Sequence, residues 1–410
     1  MLLVPSARAR ASILTDADYP FPYHNSLLAT ILSVIDRATM PYTTIRMIAH
    51  PERVNLQGLP KDASVKMGFF EQKGKSAPLV FVFAGTGGDG LSGSALLLGS
   101  QLSRLGYHVV TLPDPLSSAY VLGISQSTLP GFLPNDAPEC YQFLTQLVGS
   151  LRATYGLEIS GFSIVGLSYG ATLAGFLHHV DRTRHIFNFE RTVMFNPAID
   201  VGRAMDMLDW YNSRGDSIYP QNKMGIFAKI RELISALQGR LPETSGDSQY
   251  TDSQVLRLAL DNLQLQWVIG DTFRGYLQSI IFTSQQVHDQ GYLRASRADD
   301  RLKEARRFSY ADYIKTFVAR SLGVANEPVA IKRLISATSF YAVIEELGRD
   351  PGAFVMENDD DFLIGDGDIE LLTKKFGARL NLYPYGGHIG NFRNKKNIAD
   401  FDAVMGRAHR

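Results

Sequence analysis

Apolar residues fall in short, nearly unbroken runs through the first half of the chain and again near its end. Leu79–Phe83 (LVFVF), His108–Leu112 (HVVTL), Ser163–Val165 (SIV) and Thr192–Phe195 (TVMF) predict strands. Runs of this kind suit strands covered on both faces. Between them the period changes to that of a helix, over residues 91–105, Asp136–Tyr155 and Tyr169–Val180, with Gly106 standing where a helix cap is expected. Strand–helix–strand alternation predicts a mostly parallel sheet flanked by helices. Ahead of it, DADYPFPYHN predicts a coil over the body. SLLATILSVI (26–35) predicts a helix capped by Asn25 or Ser26, and Thr44–Ile48 and Val65–Phe70 predict two more strands.

The rhythm stops at residue 198. From there to 345 the segments IFAKIRELISALQG, SQVLRLALDNL and AVIEELG have helical spacing and no comparable strand run, until Ala353–Met356 (AFVM) and Leu380–Tyr383 (LNLY) resume the first pattern. A helical insert therefore interrupts an α/β body. Lys+Arg 41 against Asp+Glu 41 leaves no formal charge, which excludes a generic nucleic-acid binder. Cys140 is the single cysteine, so neither an intrachain disulfide nor a cysteine-rich zinc site is expected, and in its helix it predicts a small buried hydrophobe. No stretch approaches the roughly 20 apolar residues that cross a bilayer. The start MLLVPSARARASILTD places Arg8 and Arg10 after its apolar residues, the reverse of an export signal, so a cytoplasmic protein is expected unless a signal lies outside this chain.

The chemistry concentrates in SIVGLSYGATLAGF. Gly166-Leu167-Ser168-Tyr169-Gly170 fits G-x-S-x-G between a strand and a helix of small residues. A serine on that sharp turn is lifted above the sheet edge, at a helix N-terminus that favours developing negative charge. A nucleophilic serine needs a base and the base needs an orienting acid. Of the histidines beyond the late strands, His409 is penultimate, whereas His388 follows LNLY in a loop shaped by Pro384, Gly386 and Gly387. The acid is expected after AFVM, in Glu357-Asn358-Asp359-Asp360-Asp361-Phe362-Leu363-Ile364. Asp361 is the first choice, because the apolar triplet after it can tuck back and turn the carboxylate inward, and Asp360 is the alternative. Asp366 and Asp368 are read as the start of the next helix. For an oxyanion hole, the Tyr169 N–H and an amide of Ala84-Gly85-Thr86-Gly87-Gly88-Asp89-Gly90 are the donors, Thr86 first and Gly87 as alternate. The glycine loop lacks the Lys-Ser/Thr of a phosphate-binding loop and the spacing of a dinucleotide fingerprint. His178, His179 and His185 are read as a solvated helix end rather than a metal site, and no cofactor or metal is expected.

With AGTGG, GLSYG, DDDF and GGH in this order, the chain resembles the α/β-hydrolase superfamily, nearest to bacterial esterases, lipases and proline-iminopeptidase-like enzymes. The resemblance covers roughly residues 65–200 and 350–395. It implies an N-terminal extension (1–40), a hydrolase core in two parts (41–197 and 346–410) and a helical cap (198–345) between strands six and seven. It also implies a Ser168–His388–Asp361 triad acting on a small apolar ester through an acyl-enzyme. Ala84 departs from the pattern, standing where many relatives carry a histidine. The same residues would suit an amidase, a peptidase or an acyltransferase, and an inert binding protein or a lipase whose cap meets lipid would share the fold. Of the aromatic residues in the insert, Trp210, Tyr211, Trp267, Phe273, Tyr276 and Phe282, most are expected to form the core of the cap and some to line a pocket. Oligomeric state is not legible.

Overall fold

The computed structural model describes residues 18–74, 76–218, 223–238 and 260–406. The amino-terminal run 1–17, most of SQVLRLALDNL and His409 lie outside the described residues. One eight-stranded sheet runs through the centre in the order β1-β2-β4-β3-β5-β6-β7-β8. The strands are β1 (Thr43–Met47), β2 (Val65–Phe70), β3 (Ala77–Phe83), β4 (His108–Leu112), β5 (Ile159–Leu167), β6 (Arg191–Phe195), β7 (Ala353–Asn358) and β8 (Leu380–Tyr383). β2 runs antiparallel to both of its neighbours, and every pair from β4 to β8 is parallel. With helices on both faces this is an α/β-hydrolase fold. The chain turns from one side of the sheet to the other at β3, which pairs with β4 on one edge and β5 on the other. Such a reversal opens a crevice beyond the carboxyl ends of the strands. The loops after β3 and β5 border it.

The continuous apolar runs become strands without solvent-facing sides; every residue of β3 and β4 is buried. Helix α1 (Ser26–Leu32) is capped by Asn25, whose side chain accepts the Leu28 N–H. α2 (Gly93–Arg104) and α3 (Ser118–Gly123) follow. α4 (Leu133–Tyr155) begins three residues before the predicted Asp136, because Pro134 fits the first turn, where its missing N–H costs nothing. α5 (Tyr169–Arg184) covers the middle of the sheet, and Tyr169 through His178 are all buried. Cys140 is buried within α4.

Between β6 and β7 the described chain is helical. α6 (Val201–Ile218) lies against the long helix Asn262–Val287, which starts with a reciprocal Asp261–Gln264 capping box. α7 (Lys223–Gln238), Ala298–Ala305, a helical stretch over 310–321 with one π turn, and Pro328–Thr338 complete it. Trp267 and Phe282 are buried here, while Trp210 is exposed beneath the Arg214 guanidinium. Among the described residues no helix is long and apolar enough to cross a membrane.

Three further local expectations change. β5 is nine residues long rather than three, because the polar start ISGF is recruited by pairing with β3 around a bulge at Ala77. β7 runs two residues past Met356, burying Glu357 and Asn358. His178 is not solvated: it packs under the sheet with Nδ1 2.9 Å from Thr192 Oγ1 and Nε2 3.3 Å from Asp350, and burial pushes its pKa down. His179 is exposed beside Glu346 and His185 ends α5 in a left-handed conformation. Among the described residues no three or more His, Cys, Asp or Glu side chains cluster as a metal site would require.

Candidate active site

Ser168 joins β5 to α5 at φ 54 and ψ −124, a conformation that costs a residue with a Cβ on the order of 1–3 kcal/mol. Its flanks must be bare: a Cβ on Gly166 would stand 2.2 Å from the Gly170 carbonyl oxygen, and one on Gly170 would stand 2.1 Å from that of Ala84. The turn is held by the Ser168 N–H, which donates to the Phe195 carbonyl at 2.8 Å.

His388 arrives from the loop after β8. Its Nε2 lies 2.7 Å from Ser168 Oγ and its Nδ1 lies 2.7 Å from Asp361 Oδ2. All three side chains are buried. Asp361 sits in the turn after β7, where Oδ1 accepts the Leu363 N–H at 2.9 Å and Oδ2 also accepts from Asn196 Nδ2 at 3.0 Å. Phe362-Leu363-Ile364 does fold back over the carboxylate, with the Ile364 N–H reaching the Asp361 carbonyl. Asp360 points elsewhere: its Oδ1 accepts the Gly387 N–H at 2.8 Å, and burial raises its pKa to about 6. Asp368 opens the helix Asp368–Phe376, its carboxylate engaged by the Gly365 N–H and the Tyr341 hydroxyl.

Thr86 and Tyr169 line the same cavity as Ser168. Tyr169 is the first residue of α5, a position whose amide has no carbonyl one turn earlier in the helix to donate to. In the loop after β3, the Gly87 N–H donates to the Leu116 carbonyl at 3.0 Å and the Gly88 N–H to the Gly85 carbonyl at 2.8 Å. The alternate donor Gly87 is thus already engaged. Tyr276 of the long helix covers this loop so closely that a Cβ on Gly87 would lie 2.2 Å from its ring. The cavity is small, about 50 Å³, and apolar, walled by Met205, Leu208, Phe273, Tyr310, Ile314 and Leu363. A larger groove of about 1010 Å³ between α6 and the helix Pro328–Thr338 contains none of these polar groups.

Several residues that hold the site escaped the sequence analysis. The His388 N–H donates to Thr30 Oγ1 of α1 at 2.8 Å, and α1 lies so near that a Cβ on Gly387 would meet the Ser26 carbonyl oxygen at 2.0 Å. Asn358 Nδ2 donates to the Gly387 carbonyl at 2.7 Å, and Asn391 Nδ2 donates to Asn358 Oδ1 and to the Tyr19 hydroxyl. Ile389, next to His388, sits at φ 58, an outlier for a β-branched residue. The one available signal was the polar pair Glu357-Asn358 continuing an apolar strand.

No family model matches the chain, and no curated protein does. The chain is similar to solved structures of esterases and thioesterases. An esterase of Pyrobaculum calidifontis is 14% identical over 93% of this chain and 89% of its own, with a TM-score of 0.39. Carboxyl esterase 2 of the mycorrhizal fungus Tuber melanosporum is 13% identical over 90% of this chain and 87% of its own, with a TM-score of 0.41. The thioesterase domain from the curacin biosynthetic pathway is 12% identical over 89% of this chain and 99% of its own, with a TM-score of 0.39. The fold described here stands on the strand order and registers, not on these likenesses.

Proposed function

We propose that the protein is a serine hydrolase that cleaves a small carboxylic ester through an acyl-enzyme. The observation that carries this is the continuous contact from Ser168 Oγ through the His388 ring to Asp361, at 2.7 Å on each side of the ring, with the serine on a strained turn. Ser168 Oγ attacks the acyl carbon as His388 Nε2 takes its proton. The tetrahedral oxygen is held by the Thr86 and Tyr169 amides, and the carbonyl reforms as the alkoxide leaves with the proton from His388. Water, deprotonated by the same nitrogen, then attacks the acyl-enzyme; the carboxylic acid leaves and Ser168 recovers its proton. Asp361 orients the ring and stabilises its charged form throughout.

The cavity supports a short acyl group. On this measure a water needs roughly 10–15 Å³, so a 50 Å³ space takes on the order of four heavy atoms without movement of the helices above it. A series of p-nitrophenyl esters tests both parts. Acetate to butyrate should turn over and longer chains should fall away. Ser168→Ala should remove turnover and fluorophosphonate labelling together. Labelling that persists in Ser168→Ala would refute the nucleophile, and a wild-type protein inert to esters and probes from pH 6 to 9 would favour a binding protein. Acyl transfer in preference to hydrolysis would appear as ester exchange in the presence of an added alcohol.

A further inference from the structure

β7 is buried on both sides, and such a strand has no ordinary place for a carboxyl group. Glu357, its penultimate residue, is nonetheless wholly enclosed. Its Oε1 accepts the N–H of Asn358 at 2.9 Å and a bond from Asn196 Nδ2, while Oε2 faces no donor. The same Asn196 nitrogen donates to Asp361 Oδ2 at 3.0 Å, so one buried amide bridges the two carboxyl groups. Asn196 can serve both because it follows β6 in a left-handed conformation, φ 45, with its N–H on the Met356 carbonyl of the neighbouring strand.

Two carboxyl groups that share one amide in a buried place cannot both be ionised. Among the described residues neither pairs with a lysine or an arginine, and Asp361 is the one that faces the imidazole. Burial and the charge of Asp361 push Glu357 well above the ordinary carboxyl range. The other titratable groups nearby are accounted for. Asp360 is turned to the Gly387 N–H, Tyr211 of α6 lies near Asp361 with burial raising its pKa to about 12, and Asp368 behind β7 is taken by Tyr341 and Gly365.

We propose that Glu357 is a positioning residue, whose carboxylic acid acts with the Asn196 amide to clamp the Asp361 carboxylate in place for His388. The proposal rests on the hydrolase reading above. The proton stays on Glu357: its O–H donates to Asp361, and no covalent bond changes. A donor on Asp361 has two consequences. The carboxylate cannot rotate away from the ring, and part of its charge is drawn from the imidazolium.

Glu357→Gln keeps a donor of the same shape, and Glu357→Leu removes it. Glu357→Gln should hold kcat within about threefold and leave the acid limb of the kcat/KM profile in place. Glu357→Leu should lower kcat by about 10- to 100-fold with KM within twofold, the span of one hydrogen bond to a charged group, and move the acid limb upward. Infrared difference spectra of wild type against Glu357→Gln, without substrate, should show the carbonyl band of a buried carboxylic acid at pH 7. A Glu357→Leu protein with wild-type kcat and profile would overturn the proposal. So would a downward move of the acid limb by a unit or more in Glu357→Gln, which would mean a charged Glu357. If Glu357→Leu does not fold, the Glu357→Gln profile and spectrum decide alone. The carboxylic-acid band in a protein without ester turnover or probe labelling would sink the hydrolase reading and leave the buried pair standing.

Discussion

On the β3–β5 side of the site, backbone is shaped by what is missing. Gly166 and Gly170 allow β5, α5 and the loop after β3 to approach until no methyl group would fit between them. On the β7–β8 side, backbone is shaped by what is present: Asn196, Glu357, Asn358, Asn391, Thr30 and Tyr19 tie the Asp361 turn and the His388 loop together through side-chain hydrogen bonds. The first side is local and steric, and the second is long-range and polar. Steric sites fail by losing the fold, whereas polar sites fail by losing alignment.

The difference sets the expected injuries. Asp361→Asn should fold and lower kcat by about 10⁴-fold, because an amide favours the wrong ring tautomer. Asp360→Asn should retain most activity, and steady-state kinetics on the pair separates the two adjacent acids. Gly170→Val should instead destabilise by more than about 4 kcal/mol, read as loss of the cooperative urea transition, since the side chain has only the Ala84 carbonyl to occupy.

The second effect of Asp360→Asn is on stability and depends on pH. The folded protein raises Asp360 to about 6 from its ordinary value of 3.8. The native state therefore holds the proton longer than the unfolded chain, and this contribution is full below about pH 4 and lost as pH rises through 6. Asp360→Asn should gain up to about 3 kcal/mol at pH 8 and nothing near pH 4, by urea titration at both values. The smallest effect is at Thr30→Val, which removes the acceptor of the His388 N–H without changing shape. It should cost about 1–3 kcal/mol of stability, with kcat falling several-fold and KM unchanged.

The same contrast explains what could be read in advance. GLSYG and AGTGG were legible because steric rules act between residues near in sequence, and LVFVF and HVVTL because strands buried on both faces need unbroken apolar runs. Ser168, His388 and Asp361 could be named as candidates from motif and order. Asn196 and Glu357 could not, since an asparagine after one strand and a glutamate within another acquire a role only when β6 and β7 pair. Thr30 lies 358 residues from the amide it accepts. His178 differs from the expected solvated helix end for a related reason: its own face of α5 is turned to the sheet, where β6 supplies Thr192.

Active-site titration with a fluorophosphonate, followed by peptide mass spectrometry, tests the central claim most directly. One label per chain is expected, located on Ser168, formed in wild type and abolished in His388→Ala. A label on any other residue, or labelling of Ser168 at an undiminished rate without His388, would contradict it.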